Sequence, residues 1–412
     1  MMHNRRIVKR AGAIWPLLLG CLALMLAGVA LAVDSALLWQ ARQELQVAAD
    51  ASVLAAVQEL ADDQLLLHRE GYMQRAVRRS VVVATEMGLK HNVLGLPEVI
   101  EPDDEANPDV VAGFYDPALG AIQPAMSKDW DSPFINSLQV TARRTRDRGN
   151  PVGLFFTRLF NLSSADVAAS ATAVLDRHIV GFRPNGQINI PLMPIGLLSD
   201  PTGIEEASWE AQIDKPLTTG LSGFDQYLFD KDSKQWYEVG VNCKVGDGLP
   251  EFTLKLPLGK ESEEVNGVML QFGKPTYANT LRQMESGLNT LDLQNYDGKL
   301  ELGWDGMLPV EEANMPAGKQ LSAMIELFNT LHASGEARIW PLYLPVDTTN
   351  DEQTATSHVV VRGFVSARIA NIVQNESYLE IELQPTVMIT GTALTHPEAN
   401  PNAYLGKIKL IR

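Results

Sequence analysis

The pattern of apolar and polar positions is strongest in the first sixty residues of the chain. Residues 11–33 form a run of 23 residues without a charge, long enough for a helix to cross the roughly 30 Å hydrocarbon core of a bilayer. Apolar or small residues then recur at spacings of three and four up to Ala55, and neither glycine nor proline occurs from Val29 to Glu70. This pattern predicts a transmembrane helix over residues 11–33 that continues into a long helix with one small-residue face.

The charges that flank the apolar run predict its orientation. Asp34 follows the run, and four basic residues precede it, namely Arg5, Arg6, Lys9 and Arg10. By the positive-inside rule, residues 1–10 form a cytoplasmic tail and the chain after Asp34 lies outside. Cleavage of a signal peptide after Ala32 is the alternative, although the run exceeds the usual length of about 7–15 residues. A prepilin-type site after Gly12 is incomplete, because Leu17 stands where pilins carry a glutamate.

Alternation of apolar and polar residues becomes prominent farther along the chain. A second helical pattern covers residues 61–91, and Gly71 interrupts it, so one bent helix and two helices both fit. Strands are predicted at 138–143 and 165–178, where every second residue is apolar. Between them, the stretch 152–160 is predicted as a helix opened by Pro151. Its large residues are assigned to the core or, alternatively, to a surface that contacts the membrane or a partner, and they are Phe155, Phe156, Leu159 and Phe160.

A second module is predicted after the turn signal at residues 182–186. Short strands fill much of this module, and helical patterns cover residues 276–293 and 318–332. Internal prolines predict that the apolar segment 188–195 is an edge strand or an extended segment, and that the strand 340–346 lies at a sheet edge. The last part of the chain is predicted to form strands over 358–370, 379–383 and 407–410.

These patterns together predict an α+β fold. An N-terminal transmembrane helix continues into a long helix, which is followed by a small antiparallel sheet and a mainly β second module. The predicted divisions are a basic tail at 1–10, a transmembrane helix at 11–33, a stalk helix with an α+β domain at 34–180, and a mainly β exported module at 181–412.

Charge and cysteine content exclude several classes of protein. Hydrophobic residues make up 45% of the 412 positions, enough for two packed domains. The net charge is −16, and 30 basic residues face 50 acidic ones beyond the first ten positions, which argues against nucleic acid as a partner. Cys21 lies in the apolar run and Cys243 far downstream, so neither a disulfide nor a thiolate metal site is predicted.

Motifs for catalysis or cofactor binding are missing from the sequence. None of the seven histidines is spaced as in a zinc motif, and the segment 219–223 lacks the pattern of a nucleophile elbow. The acidic segments 101–109 and 230–234 lack the ligand spacing of a calcium loop and are predicted to be solvated loops. We therefore predict no catalytic residue, no metal ligand and no cofactor.

The long helix carries a pattern that resembles a known family. The sequence Ala32-Val33-Asp34 and the positions after it resemble the N-terminal signature of the Flp pilus-assembly TadE/TadG-like family. The signature positions are Asp34, Leu38, Arg42, Leu45, Gln46, Ala48, Ala49, Asp50 and Ala51. Later segments, 110–116, 140–144 and 151–156, are similar to TadG-type members. The metal motif of the von Willebrand factor A-like module found in some TadG proteins is missing.

The resemblance implies a single-pass bacterial inner-membrane protein of a Tad pilus or a related export system. We expect a non-enzymatic structural or accessory component whose partners are the membrane and pilus-assembly proteins, with self-association left open. The small-residue face of the helix fits packing either on its own domain or on other subunits. Two other hypotheses remain: a tethered exported module that binds carbohydrate or a surface protein, and an exported hydrolase without a recognisable motif.

Overall fold

The computed structural model describes most of the chain. The described residues are 14–67, 69–102, 108–116, 119, 121–125, 129–156, 158, 163–219, 225–243, 245–258, 265–345 and 358–411. The predicted basic tail at 1–10 and the polar loop at 347–357 lie outside them, as do Leu159, Phe160 and the centre of the acidic segment 101–109.

Five α-helices lie within the described ranges. They are α1 Ile14–Gln58, α2 Tyr72–Leu89, α3 Lys215–Thr219, α4 Tyr277–Ser286 and α5 Lys319–Ser334. A 3₁₀ helix over Asp63–Leu67 follows α1, and a π-helical turn over Glu210–Asp214 leads directly into α3. Gly71 separates the 3₁₀ helix from α2 with a φ of 72°, in the left-handed region that favours glycine. The second helical pattern is thus two helices.

Twenty-two strands are present in the described ranges. In chain order they are β1 Asn92–Val93, β2 Leu96–Pro97, β3 Val110–Asp116, β4 Ala121–Pro124, β5 Ser137–Arg144, β6 Val152–Gly153, β7 Ser164–Ala165, β8 Val167–Asp176, β9 Ile179–Phe182, β10 Ile195–Leu198, β11 Tyr227–Asp230, β12 Gln235–Glu238, β13 Phe252–Pro257, β14 Gly267–Leu270, β15 Leu300–Glu301, β16 Leu308–Ala313, β17 Arg338–Pro345, β18 His358–Gln374, β19 Tyr378–Pro385, β20 Met388–Ile389, β21 Ala393–Thr395 and β22 Leu405–Ile411.

The N-terminal sheet has the order β20-β22-β8-β5-β3-β4, and the first half of the chain supplies four of its six strands, β3, β4, β5 and β8. Strand β5 alternates buried and half-buried residues along most of its length, because one face of the sheet is covered by helices. The second half of α1 crosses this face against β5 and β8, and α2 packs beside α1. Alanines on the inner side of α1 allow the helix to approach the sheet closely.

The second half of the chain builds a C-terminal sheet that closes on itself. Its order is β13-β19-β18-β16-β14-β10-β17, and β17 also pairs with β18. Strand β18 is long enough to serve three neighbours: it pairs with β16 and β17 near its start and with β19 near its end. The enclosed core is rich in large residues, and its largest fully buried side chains include Trp209, Trp340, Phe182, Phe252 and Phe328.

The end of the chain joins the two sheets. Strand β22 pairs antiparallel with β8, with Ile408 opposite Leu175. The last strand therefore lies in the N-terminal sheet, although its residues belong to the segment 181–412. A three-stranded sheet in the order β15-β9-β21 lies where the chain leaves β8.

The α+β class and most predicted elements are confirmed, including the long apolar helix, β5, β8, α5 and the final strands. The helix predicted over 152–160 is wrong, because Val152–Gly153 is a strand paired with Ser164–Ala165. The helix predicted over 276–293 ends at Ser286, where Gly287 has a positive φ.

The edge position predicted for residues 340–346 is also wrong. Strand β17 lies between β10 and β18, and its pairing with β10 uses Leu342 and Tyr343, between the two prolines of the segment. The segment 188–195 is extended, as one of the two alternatives predicted for it states: it pairs through isolated bridges before β10 begins at Ile195. Ile188 is exposed, whereas Ile190, Leu192, Met193 and Ile195 are fully buried.

Candidate functional site

The signature residues of α1 lie where this helix packs on its own sheet. Leu45, Ala48 and Ala49 have no exposed surface, and all three belong to the core formed by α1, α2 and the N-terminal sheet. Ala51 is half-buried. The small-residue face is therefore covered by the same chain, as the first of the two packing hypotheses expects.

Two polar signature residues tie the helix to the sheet. The Gln46 side-chain amide donates to Asp50 Oδ1 at 2.7 Å and to the Ser170 carbonyl of β8 at 3.2 Å. Because the first contact is within one helical turn and the second reaches the sheet, Gln46 fixes the rotation of α1 about its axis.

Leu38 and Arg42 lie nearer to the apolar end of α1. Together with Trp39 they line a shallow cavity of about 480 Å³ against residues 166–168 at the start of β8. Arg42 and Trp39 are exposed, whereas Leu38 is half-buried.

Asp34 binds a loop at the point where the apolar run ends. Its carboxylate is buried, with 2% of the residue exposed, and it accepts hydrogen bonds from the backbone N–H groups of Phe155 (3.0 Å) and Phe156 (3.1 Å). A buried carboxylate requires such donors, because its desolvation is otherwise costly. The side chains of both phenylalanines are exposed.

Asp63 connects the N-terminal helices to the C-terminal sheet. Its Oδ1 accepts from Thr386 Oγ1 (2.7 Å) and from the Val387 N–H (2.8 Å), and its Oδ2 lies 3.0 Å from Arg368 Nη1 and from Lys231 Nζ. Burial alone would raise the pKa of Asp63, but the two cations and the two hydrogen bonds outweigh it and lower the pKa below its usual value. The carboxylate is thus held ionised between the two halves of the chain.

A cluster of buried carboxyl groups lies near this contact. Glu251 accepts hydrogen bonds from the backbone N–H groups of Gln226 and Tyr227. Asp247 accepts one from the backbone N–H of Leu249 and one from the side-chain amide of Gln384. Burial raises the pKa of Glu251 to about 9 and that of Asp247 to about 7, with neighbouring carboxylates adding to both shifts. Near neutral pH, Glu251 therefore favours the protonated form, whereas Asp247 is divided between the protonated and ionised forms.

A concave surface lies on the C-terminal half. A cavity of about 770 Å³ opens between residues 301–306 and 396–402, with Arg362 on its wall. Trp304 stands at its rim, fully exposed, in a tight turn stabilised by the hydrogen bond from the Gly306 N–H to the Gly303 carbonyl. An exposed tryptophan beside polar side chains is typical of a binding surface.

A smaller cavity of about 380 Å³ shares Arg362 with the first and holds two carboxyl groups, Glu210 and Asp214. Glu210 accepts from the Asp200 N–H at 2.8 Å and lies 3.5 Å from Arg362. Burial raises the pKa of Asp214 to about 6, and the Tyr404 hydroxyl donates to its carboxylate. Glu210 contacts a cation and a backbone N–H, whereas Asp214 contacts the Tyr404 hydroxyl, so the two carboxyl groups have different environments.

Sequence reasoning missed Asp63, the carboxyl pair and Trp304. The turn sequence Gly303-Trp304-Asp305-Gly306 is the one signal that marks an exposed aromatic residue. Within the described ranges, no group of three histidine, cysteine or acidic side chains is arranged to hold a metal ion. Both cysteines are free thiols, with Cys21 exposed.

The fold and these contacts define the class of this protein, a chain whose long N-terminal helix is apolar at one end and packs into an α+β body at the other. Among the described residues, α1 is the one helix long and apolar enough to cross a membrane, and its apolar window is entirely exposed. The same helix continues as the central element of an α+β body.

Comparison with known proteins agrees with this class. Residues 12–59 match the Tad family, described as putative Flp pilus-assembly TadE/G-like. This match confirms the resemblance of the α1 signature to the TadE/TadG-like family over these residues. No curated protein and no solved structure shows significant similarity to the chain.

Proposed function

We propose that this chain is a membrane-anchored, non-enzymatic structural or accessory component of a Tad-type pilus or secretion apparatus. Residues 1–10 are cytoplasmic and the body after Asp34 is periplasmic or extracellular. The observation that carries this proposal is α1, because one unbroken helix matches the pilus-assembly family and has an exposed apolar half and a buried signature half.

The two halves of α1 differ in what surrounds them. From Trp15 to Val33 every residue is exposed except the half-buried Ala30, as expected of a segment that faces lipid or other membrane helices. From Ala41 to Leu60, the inner face of α1 and the residues just after it are buried in the core of the chain's own N-terminal body. Contacts with assembly partners therefore use the apolar half of the helix or the exposed side of its second half.

Site-specific photo-crosslinking tests this assignment. A photo-reactive amino acid placed at Val47, which is 57% exposed, should crosslink the full chain to pilus-assembly proteins in cells that produce the pilus. The buried position Leu45, which already carries a large side chain, is the matched control and should give only crosslinks within the chain. Absence of any crosslinked pilus-assembly protein from Val47, Trp39 and positions in the apolar half would argue against the proposed role.

A second candidate function is a tethered module that binds carbohydrate. The exposed indole of Trp304 beside Arg362 and the polar residues of the large cavity favours it, because an aromatic face stacks on the apolar face of a sugar ring while polar groups bind its hydroxyls. Titration of the full chain with a tetramer of β-1,4-linked N-acetylglucosamine tests this idea. Trp304→Ala should abolish binding, whereas Trp39→Ala, which removes another exposed tryptophan far from this cavity, should not.

The same titration addresses the exported hydrolase. Release of shorter sugars from the probe, lost in Asp214→Asn or Glu210→Gln, would replace the non-enzymatic role by hydrolysis. Binding without turnover would support the tethered binding module.

A further inference from the structure

We propose that Phe155 and Phe156, which follow β6, enter the interfacial layer of the membrane that α1 crosses, and that Asp34 holds them at this depth. The inference rests on the proposed membrane anchoring and adds a second, non-helical contact with the same bilayer. The ligand is a lipid surface.

The first step is the direction of the hairpin that carries the loop. Strands β6 and β7 pair Val152 with Ala165, and β8 begins immediately afterwards beside residues 38–42 of α1. The backbone amides of Phe155 and Phe156, farther along the hairpin, lie beside Asp34 instead. Because α1 rises about 1.5 Å per residue, the hairpin advances by roughly 6–12 Å toward the apolar half of the helix.

The second step is the level that Asp34 marks. Val33 is the last residue of the uncharged run, and Asp34 is the first charge after it. A carboxylate at this level stays outside the hydrocarbon layer, and its 2% exposure shows that the loop covers it. The two hydrogen bonds to Asp34 therefore fix the loop at the height where α1 leaves the bilayer.

The third step is the chemistry of the surface that the loop presents. Leu154 is buried, but Phe155 is 71% and Phe156 41% exposed. Trp39, 68% exposed, lies five residues beyond Asp34 on α1, and Arg158 in the same loop is exposed as well. Aromatic rings favour the membrane interface, and an arginine there pairs with lipid phosphate. Continuity with the apolar helix favours lipid over a protein partner.

Depth measurement by spin labelling tests the inference on the full chain. The background carries Cys21→Ala and Cys243→Ser, and single cysteines are introduced by Phe155→Cys, Leu31→Cys and Ile204→Cys. Ile204 is 80% exposed and lies on the C-terminal half, so it serves as the aqueous reference. Each labelled protein is placed in nanodiscs of phosphatidylcholine and phosphatidylglycerol, and relaxation by oxygen and by a water-soluble nickel chelate is compared.

We expect the ratio of oxygen to nickel relaxation at position 155 to exceed that at 204 several-fold and to approach that at 31. A ratio at 155 equal to that at 204, with 31 in the bilayer, would overturn the loop inference while leaving the anchor intact. Protection of 155 from both reagents would also overturn it, because it would show a protein contact. An aqueous ratio at 31 would instead refute the anchoring on which the inference rests.

Asp34→Asn tests the positioning role separately. This variant keeps the size of the side chain but weakens the two hydrogen bonds, because the amide offers one oxygen acceptor and no charge. The ratio at 155 should fall toward the aqueous value while that at 31 stays unchanged. Unchanged ratios at both positions would show that Asp34 does not hold the loop.

Discussion

Removal of the Asp63 carboxylate should weaken the contact between the N-terminal helices and the C-terminal sheet. In Asp63→Ala, Arg368 loses its anionic partner, and Thr386 and Val387 lose their acceptor. The Arg368 side chain is only 9% exposed, and breaking a buried ion pair from one side typically costs about 3–5 kcal/mol. Lys231 adds little, because its side chain is 48% exposed and can return to water. We therefore expect the free energy of unfolding to fall by about 3–5 kcal/mol.

The neighbouring Asp62 provides a matched control. Its carboxylate pairs with Arg79 at 3.0 Å, but the side chains are 32% and 42% exposed, so Asp62→Ala should cost about 1 kcal/mol or less. The double variant Asp63→Ala with Arg368→Met should recover part of the loss, because no unpaired charge then remains buried.

Urea unfolding of the full chain in detergent micelles, followed by tryptophan fluorescence, measures these differences. Trp340 reports on the region directly, because its indole donates to the Ala367 carbonyl beside Arg368. Equal losses in Asp63→Ala and Asp62→Ala would refute the reasoning, as would a double variant no more stable than Asp63→Ala alone.

Three further predictions follow from other contacts. Ala48→Leu should destabilise the chain by about 1–3 kcal/mol through overpacking, whereas Val47→Leu on the exposed side should change stability little; equal effects in urea unfolding would contradict the packing of α1. Burial raises the pKa of Glu251 to about 9 and of Asp247 to about 7, so the stability they provide is complete below pH 4 and is lost as pH rises through these values. The free energy of unfolding, measured between pH 5 and 9, should decline by up to about 1.4 kcal/mol per pH unit for each group. Glu251→Gln should reduce the decline in the upper part of this pH range. Trp304→Ala should leave the midpoint of thermal unfolding unchanged, because the side chain makes no buried contact; a lower midpoint would show a structural role.

Local pattern was sufficient for α1 and for the alternating strands. The absence of glycine and proline and the abundance of alanine allow a helix from Ile14 to Gln58 without interruption. In β5 and β8 the period of two follows from a sheet with one covered face. These features depend on residues that are close together in the chain, so their pattern can be read directly from the sequence.

Long-range contacts decided the features that sequence reasoning misjudged. The helix predicted over 152–160 does not form because a strand 12 residues away pairs with its start and Asp34, more than 100 residues upstream, binds the amides of Phe155 and Phe156. The closure of the C-terminal sheet by β17, the return of β22 to β8 and the Asp63 contact likewise join distant segments. The periodicity of apolar residues within one segment does not indicate which distant segment it pairs with.

The most direct test of the central claim is affinity purification of the full chain from membranes of cells that make the pilus. The chain should resist alkaline extraction and co-purify with pilus-assembly proteins. Exchange of residues 11–33 for a cleavable signal peptide should release the body from the membrane and abolish co-purification with those proteins. A chain that is recovered as a soluble protein, or that purifies from intact membranes without any pilus-assembly protein, would contradict it.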